Sequence, residues 1–484
     1  MTQVVALPLW VLLALLAVAL VAALQWFLLP GVRWVVRRKV RGVIDELSVR
    51  LNIDIPAFKL TRRQALIDRL TGDPRVIAAA DDVARDKGGS RVAVMGRVHG
   101  YAREIVPAFN AYLYFRFGYW LSKSVAGLLY RVRLGYADTV ALAGIDPRST
   151  VVFVMNHRSN MDYILVSFLA AERVALSYAV GEWARIWPLQ GLIRAMGAYF
   201  VRRDSGDPLY RMVLQRYVQM ATEAGVPQAM YPEGGLSTDG LLRKPKLGLL
   251  DYMLKTFDTA GERDLVFIPV GINYDRVIED RSLLARADRQ HTHVGLWARL
   301  RVLAAYLARQ LVLRAQGRSF RNGYACVNFG RPVSMRAHAL ANGLDFPRLD
   351  DAARRVAINR IGADLMHAIG QIVPVLPVPL VATVLLRDPG AALSELELKA
   401  AVHGLIADIE SRGIPVYLPR ADRDYAINVG LRMLLLRRLV LEQPGGLLGA
   451  NPAELPLLRY YANSIAHLCL APATVAPVVV AHAA

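Results

Sequence analysis

The 484-residue chain has almost no cysteine: Cys326 and Cys469 stand far apart and form no CxxC pair. That excludes a disulfide framework and a cysteine-rich zinc site, and it fits a main domain facing a reducing compartment. The sequence also has no HExxH, no GxxxxGK[ST] and no GxSxG. Their absence counts against a metalloprotease, a common P-loop nucleotidase and an α/β-hydrolase. Acidic side chains are in deficit, 40 Asp and Glu against 59 Lys and Arg, for a formal charge of +19. Such a surface attracts polyanions: nucleic acid, an acidic membrane face or phosphorylated substrates. No nucleic-acid module and no aromatic-and-basic platform accompany the charge, so nucleic acid is not an expected partner. Charged residues make up only 20% of the chain and apolar residues 54%, a composition that buries a large core rather than staying disordered.

The first positive feature is Val4 to Leu24, an unbroken run without a polar side chain, which as a helix reaches ~32 Å and crosses a bilayer. Met1 to Gln3 carry no Lys or Arg, and the run is longer than a signal-peptide core, so a retained anchor is expected. Arg33, Arg37, Arg38, Lys39 and Arg41 follow it. Basic flanks stay on the cytoplasmic side, which predicts a single-pass protein of the cell inner membrane with its main domain on the cytoplasmic face. The same cluster either sets topology alone or also touches anionic headgroups of the phospholipid membrane.

Length suggests two to four structural units. We read 1–30 as a transmembrane anchor, 31–145 as a helical region, 146–335 as the main domain and 336–484 as a helical C-terminal region. From about Val43 to Leu142 apolar residues recur at helical spacing, as in Ala108, Tyr112, Phe115, Tyr119 and Ala126. Beyond Asp146-Pro147 the pattern changes. Short apolar runs with the length of buried strands, Thr150 to Met155, Val174 to Val180, Ala198 to Val201, Gln228 to Tyr231 and Leu265 to Ile272, alternate with helix-length segments. Those segments are Asp162 to Glu172, Trp183 to Met196, Asp207 to Ala224 and Pro245 to Ala260, and Tyr324 to Phe329 adds a late strand. The alternation predicts an α/β fold with a mostly parallel sheet flanked by helices. Ligands in such sheets lie beyond the carboxyl ends of the strands.

Four segments at those positions carry the candidate chemistry. Asn156-His157-Arg158-Ser159-Asn160-Met161-Asp162 is a dense polar turn, in which Asp162 can fold back onto one ring nitrogen of His157 and leave the other as a base. Gly197-Ala198-Tyr199-Phe200-Val201-Arg202-Arg203 delivers two guanidinium forks that match phosphate oxygens. Tyr231 to Gly240, with Glu233, Gly234, Gly235 and Ser237, is a loop whose glycines let amides converge on an anion, and Arg243, Lys244 and Lys246 add charge beyond it. Phe267 to Tyr274 is an apolar strand holding Pro269.

In this order and spacing the four segments resemble the blocks of the glycerolipid acyltransferases, most closely the membrane-bound bacterial glycerol-3-phosphate acyltransferases and their dihydroxyacetone-phosphate relatives. His157 and Asp162 match the His-x4-Asp block, Gly197 with Phe200 to Arg203 the second, Glu233 and Gly234 the third, and Pro269 the fourth. The likeness extends to Tyr324 to Gly330 and to Tyr460 to His467. It implies that His157 takes the proton of an acceptor hydroxyl attacking the thioester of a fatty acyl donor, acyl-CoA or acyl-ACP, with Asp162 orienting the imidazole. It implies no metal, no cofactor beyond that co-substrate, and no covalent acyl-enzyme. Turn amides near Gly234 or Ser159 are the expected oxyanion donors.

The third block departs from the family pattern: Leu236 and Thr238 stand where arginines are usual, the first of them holding the acceptor phosphate. With glycerol 3-phosphate as the expected acceptor, the missing charge comes from Arg243, Lys244 or Lys246, alongside Arg202 and Arg203, while Arg158, Ser159, Glu233, Gly234, Gly235, Ser237 and Pro269 complete the substrate-binding set. Two alternatives are a lysophosphatidate or other lysolipid acyltransferase and, without enzymatic activity, a membrane-anchored lipid- or protein-binding scaffold.

Overall fold

The computed structural model of the chain describes residues 56–86, 89–170, 176–181, 189–202, 205–287 and 322–469. The expected anchor Val4 to Leu24, its basic flank and Arg203 lie outside these residues. Among the described residues no helix is long and apolar enough to cross a membrane.

The strands of the main sheet, in chain order, are β1 (Arg131–Ala137), β2 (Thr150–Met155), β3 (Ser177–Gly181), β4 (Tyr199–Val201), β5 (Gln228–Met230), β6 (Leu265–Tyr274), β7 (Tyr324–Phe329) and β8 (Val333–Ser334). A separate antiparallel sheet of β9 (Ala392–Leu393), β10 (Val440–Gln443) and β11 (Leu447–Ala450) lies within the C-terminal region read as helical, where runs of two to four residues are too short to show a strand pattern in sequence. Across the main sheet the strands run β1-β7-β6-β2-β5-β3-β4, with β8 beside β6. β6, β2, β5, β3 and β4 are mutually parallel, as the alternation predicts. β7 and β8 pair antiparallel to β6, and β1 runs parallel to β7. β1 falls inside the stretch read as helical. It forms the edge of the sheet and most of its residues are exposed, so the buried apolar face that marks a strand in sequence is missing here.

Side chains on successive strand residues point to opposite faces, and the two faces hold separate cores. Val152, Val154, Tyr199, Leu265 and Phe267 join a cluster completed by the helices Arg63–Thr71, Pro74–Asp86, Arg91–Ile105, Pro208–Glu223, Gly248–Leu254 and Asp351–Gln371. Phe153, Met155, Phe200, Ile268, Val270 and Ile272 join the other, covered by Tyr119–Leu129, Met161–Ala170, Pro377–Leu385, Glu395–Ser411, Arg423–Leu436 and Leu455–Asn463. The N-terminal helices Arg63–Thr71, Pro74–Asp86 and Arg91–Ile105 cover one face; most of the C-terminal helices cover the other.

A proline in the middle of a central strand removes a ladder hydrogen bond, and Pro269 sits level with Val154 in a fully buried strand. Its carbonyl accepts from the Gly330 N–H at 2.9 Å, so its nitrogen faces the same side. There β6 pairs with β8 at Val266 and Phe267 and with β7 only from Val270 onward. Pro269 occupies the gap between the two partners, where no donor is required.

The C-terminal helices are pinned to the strand ends by a buried ion pair. Arg437 donates to Asp280 at 2.5 Å and to the Tyr461 hydroxyl at 2.7 Å, and the Tyr461 hydroxyl bonds Asp280 in turn. The Asp280 side chain is 5% exposed and that of Arg437 13%. Removing one partner strands a buried charge, so Arg437→Ala is expected to destabilise the protein by about 3 to 5 kcal/mol. Chemical denaturation of the detergent-solubilised protein checks it.

Candidate active site

β6, β2 and β5 are neighbours, and their carboxyl ends deliver Tyr274, Asn156-His157 and Tyr231-Pro232-Glu233 to one edge of the sheet. The turn after β2 is built by side-chain bonds to backbone. The Asn156 amide clasps Ile272, donating to its carbonyl at 2.8 Å and accepting from its N–H at 2.7 Å, which carries the β2–β6 ladder past the last strand pair. Asp162 opens the helix Met161–Ala170 and is fully buried. Its Oδ2 accepts from His157 Nδ1 at 2.8 Å and from the backbone N–H groups of Arg158 and Ser159 at 2.7 and 3.0 Å. The Tyr274 hydroxyl donates to its Oδ1 at 2.6 Å.

His157 is 3% exposed and stacks on Tyr231, with ring centroids 4.0 Å apart, and meets Tyr163 edge-on at 5.5 Å. Its Nδ1 carries the bond to Asp162, while Nε2 makes no hydrogen bond among the described residues. This is the arrangement of an oriented base.

The Gly-rich loop grips the peptide of His157 on both sides. Glu233 accepts from the His157 N–H at 2.8 Å and from the Arg243 N–H at 3.1 Å, and the Ser237 N–H donates to the His157 carbonyl at 3.0 Å. Glu233 thus ties the loop to the turn, a role for which its place in the sequence offered no signal. Ser237 turns its hydroxyl inward, onto the Leu241 carbonyl at 2.8 Å. Gly234 has φ +68, and a Cβ there would stand 2.6 Å from Cδ of Lys246, whose stem packs across the loop. Gly235 is half-buried, and Lys244 and Lys246 are exposed. Arg243 reaches back so that its guanidinium bonds the Thr238 hydroxyl.

Three expectations change. The Ser159 and Gly234 amides already donate, to Asp162 and to the Tyr231 carbonyl at 3.0 Å each, so neither is open to an oxyanion. The Ser159 hydroxyl donates to Glu279 at 2.8 Å. The Nε–Nη2 fork of Arg202 is taken: it pairs with both oxygens of Glu104 at 2.8 and 2.6 Å, and the guanidinium lies over the rings of Tyr101 and Tyr210. Arg202 also leaves β4, three strand spacings from β2. Arg158 is buried against Tyr460, 4.9 Å from the ring centroid, and bonds the Gly240 carbonyl. Its Nε and one Nη have no partner among the described residues. Gly240 itself has φ +90 and faces the Tyr460 carbonyl so closely that a Cβ has no room, and Asn463 donates to Asp239 at 2.8 Å. The Tyr460 to His467 segment therefore closes over the Gly-rich loop.

Tyr274 and Glu279 are the residues sequence reasoning missed. Glu279 accepts from Ser159 and Asn160, and its only signal was an acidic residue five positions past a strand. Among the described residues no group of three or more His, Cys, Asp or Glu is placed to hold a metal ion.

Burial pushes the Glu233 carboxyl up to about 7 from an ordinary 4.5. The native state therefore binds this proton more tightly than the unfolded chain, and the Glu233 contribution to stability falls as pH rises from about 4.5 to about 7. Glu233→Gln, which cannot ionise, is expected to become more stable relative to wild type across that window. Paired thermal unfolding curves at several pH values test this, and a constant difference would contradict it.

Residues 140–273 match the acyltransferase family, and residues 308–484 match the glycerol-3-phosphate acyltransferase C-terminal region. A glycerol-3-phosphate acyltransferase of Pseudoalteromonas atlantica is 28% identical over 449 residues, covering 87% of this chain and 52% of that protein. One from Pseudomonas entomophila is 28% identical over 437 residues, covering 86% and 50%. The chain spans about half the length of the curated relatives it matches. A crystal structure of the 1-acyl-sn-glycerophosphate acyltransferase from Thermotoga maritima, 16% identical, overlaps 52% of this chain and 78% of that one with a TM-score of 0.30. With both family matches in chain order and relatives aligned over most of its length, the chain is similar to the glycerolipid acyltransferases and, among them, to the bacterial glycerol-3-phosphate acyltransferases.

Proposed function

We propose that the chain transfers a fatty acyl group from an acyl thioester, acyl-CoA or acyl-ACP, to the sn-1 hydroxyl of glycerol 3-phosphate, forming lysophosphatidic acid for phospholipid synthesis. The observation that carries this is the buried His157–Asp162 pair at the strand ends, with Nε2 of His157 unbonded among the described residues. In this reading His157 removes the proton of the acceptor hydroxyl as its oxygen attacks the thioester carbonyl. It then returns that proton to the departing thiolate as the tetrahedral intermediate collapses. Asp162 holds the ring and balances the imidazolium.

The acceptor phosphate is assigned to Arg243, Lys244 and Lys246. Arg243 supports this best, because its guanidinium lies against Thr238, one of the two positions where an arginine is usual. Val4 to Leu24 is proposed as a single transmembrane anchor in the inner membrane, with the four-part division of the chain and the cytoplasmic main domain expected from the sequence. A second reading, a lysolipid acceptor, is favoured by Leu236, which packs partly buried against the core where the family places the other arginine. Membranes bearing the protein, given labelled acyl-CoA or acyl-ACP and a panel of acceptors, separate the two. The proposal requires product from glycerol 3-phosphate or dihydroxyacetone phosphate, and product from a lysophospholipid alone would sink it.

A further inference from the structure

Asp162 accepts four hydrogen bonds, and one comes from outside its own turn. Three donors, the His157 ring and the Arg158 and Ser159 N–H groups, all converge on Oδ2. Among the described residues Oδ1 is held by the Tyr274 hydroxyl alone, at 2.6 Å. Tyr274 is the last residue of β6 and completely buried. Its ring lies 5.2 Å from that of Tyr130, whose own hydroxyl is used on the Arg276 carbonyl at 2.8 Å. Packing therefore leaves the Tyr274 hydroxyl aimed at one oxygen.

We propose that Tyr274 is a positioning residue that fixes the plane of the Asp162 carboxylate and limits its basicity, and through that carboxylate sets how readily His157 gives up and takes a proton. The proposal rests on the reading of His157 as the base. The physical argument is a competition for charge. Every donor on a carboxylate draws off some of the negative charge that the imidazolium would otherwise feel. Take the phenol away, and Oδ1 becomes a buried acceptor with no partner, the Asp162–His157 bond tightens, and the protonated ring is favoured over the free base. Burial holds the Tyr274 phenol well above its ordinary value, so it serves as a neutral donor throughout the working range.

Other groups facing the pair also titrate or carry charge. Arg158 lies in the same turn; Tyr163 and Tyr231 face the ring; Glu233 holds its peptide; Glu279 and Tyr460 approach from the β6 loop and the C-terminal helix. Burial raises Glu233 to about 7 and raises Glu279 as well. The informative quantity is therefore the change between variants, not the position of one limb.

The test uses the full-length protein in membranes. In Tyr274→Phe, the acid limb of the kcat/KM profile should move up by about half to one pH unit, and kcat on the plateau should fall about tenfold. The KM for both substrates should stay within about twofold. Tyr130→Phe removes a hydroxyl from the same aromatic cluster without touching Asp162 and should leave the limb in place. A fluorinated tyrosine incorporated at 274 keeps the ring and strengthens the donor, so it should move the limb down, and it serves if the phenylalanine form does not accumulate. A limb that stays fixed in both Tyr274 variants, or that moves equally in Tyr130→Phe, overturns the proposal. If His157→Ala retains activity, the failure lies with the base assignment instead.

Discussion

His157→Ala is expected to lower acyl transfer by about 10²- to 10⁴-fold, the range that a positioned base contributes. The protein should remain folded, because the ring makes one side-chain hydrogen bond, to Asp162, and the peptide of residue 157 stays gripped by Glu233 and Ser237. Asp162→Asn should be nearly as damaging to turnover but worse for stability. Four donors point at the carboxylate, three at Oδ2 and one at Oδ1, and an amide can accept with only one end, so at least one donor would face an NH₂ group in a buried site at a cost of about 1 to 3 kcal/mol. Rate and melting temperature should therefore separate in the two variants: the first loses chemistry and the packing of one ring on Tyr231, the second loses chemistry and the hydrogen-bond network of the turn. Single-turnover assays with labelled acyl donor, alongside thermal melts, read both. Wild-type turnover in His157→Ala would falsify the assignment of the base.

Arg243→Ala should raise the apparent KM for glycerol 3-phosphate about 10- to 100-fold, corresponding to a lost charge-assisted contact of about 1.5 to 3 kcal/mol, with the KM for the acyl donor nearly unchanged. The expectation follows from where the side chain goes. Arg243 anchors its backbone N–H on Glu233, which also holds His157, and returns its guanidinium to Thr238 on the same loop. A charge five residues along the chain thus occupies the neighbourhood of an arginine position that this chain fills with threonine. Arg202→Ala should behave differently. Its fork is closed on Glu104, so its removal should lower stability without selectively raising the acceptor KM. If Arg202→Ala raises that KM and Arg243→Ala does not, the phosphate lies nearer β4 than proposed.

The alternation of short apolar runs with helix-length segments was enough to read the parallel core of the sheet, and the His-x4-Asp turn was enough to name the pair that the structure brings to 2.8 Å. Both are local signals. A strand buried on both faces must be apolar along its length, and two residues five apart across a tight turn meet without help from the rest of the chain. β1 escaped notice for the converse reason, since an edge strand exposed along most of its length keeps Arg131, Arg133 and Tyr136 and loses the pattern.

What lay beyond the sequence was the role of each polar residue around that pair. Glu233, Tyr274, Glu279 and Arg158 are separated from their partners by dozens to hundreds of positions, and nothing local to any of them says where a hydroxyl or carboxylate will point. Arg202 and Arg243 make the contrast sharpest: by composition and spacing both are guanidinium groups beside a family block, equally suited to a phosphate. Only the packed structure closes one on Glu104 and turns the other back to Thr238. Residue type and spacing determined which chemistry the chain carries. Which donors remain for a substrate was decided by tertiary structure, because a donor is available only if no buried acceptor elsewhere in the chain has already taken it.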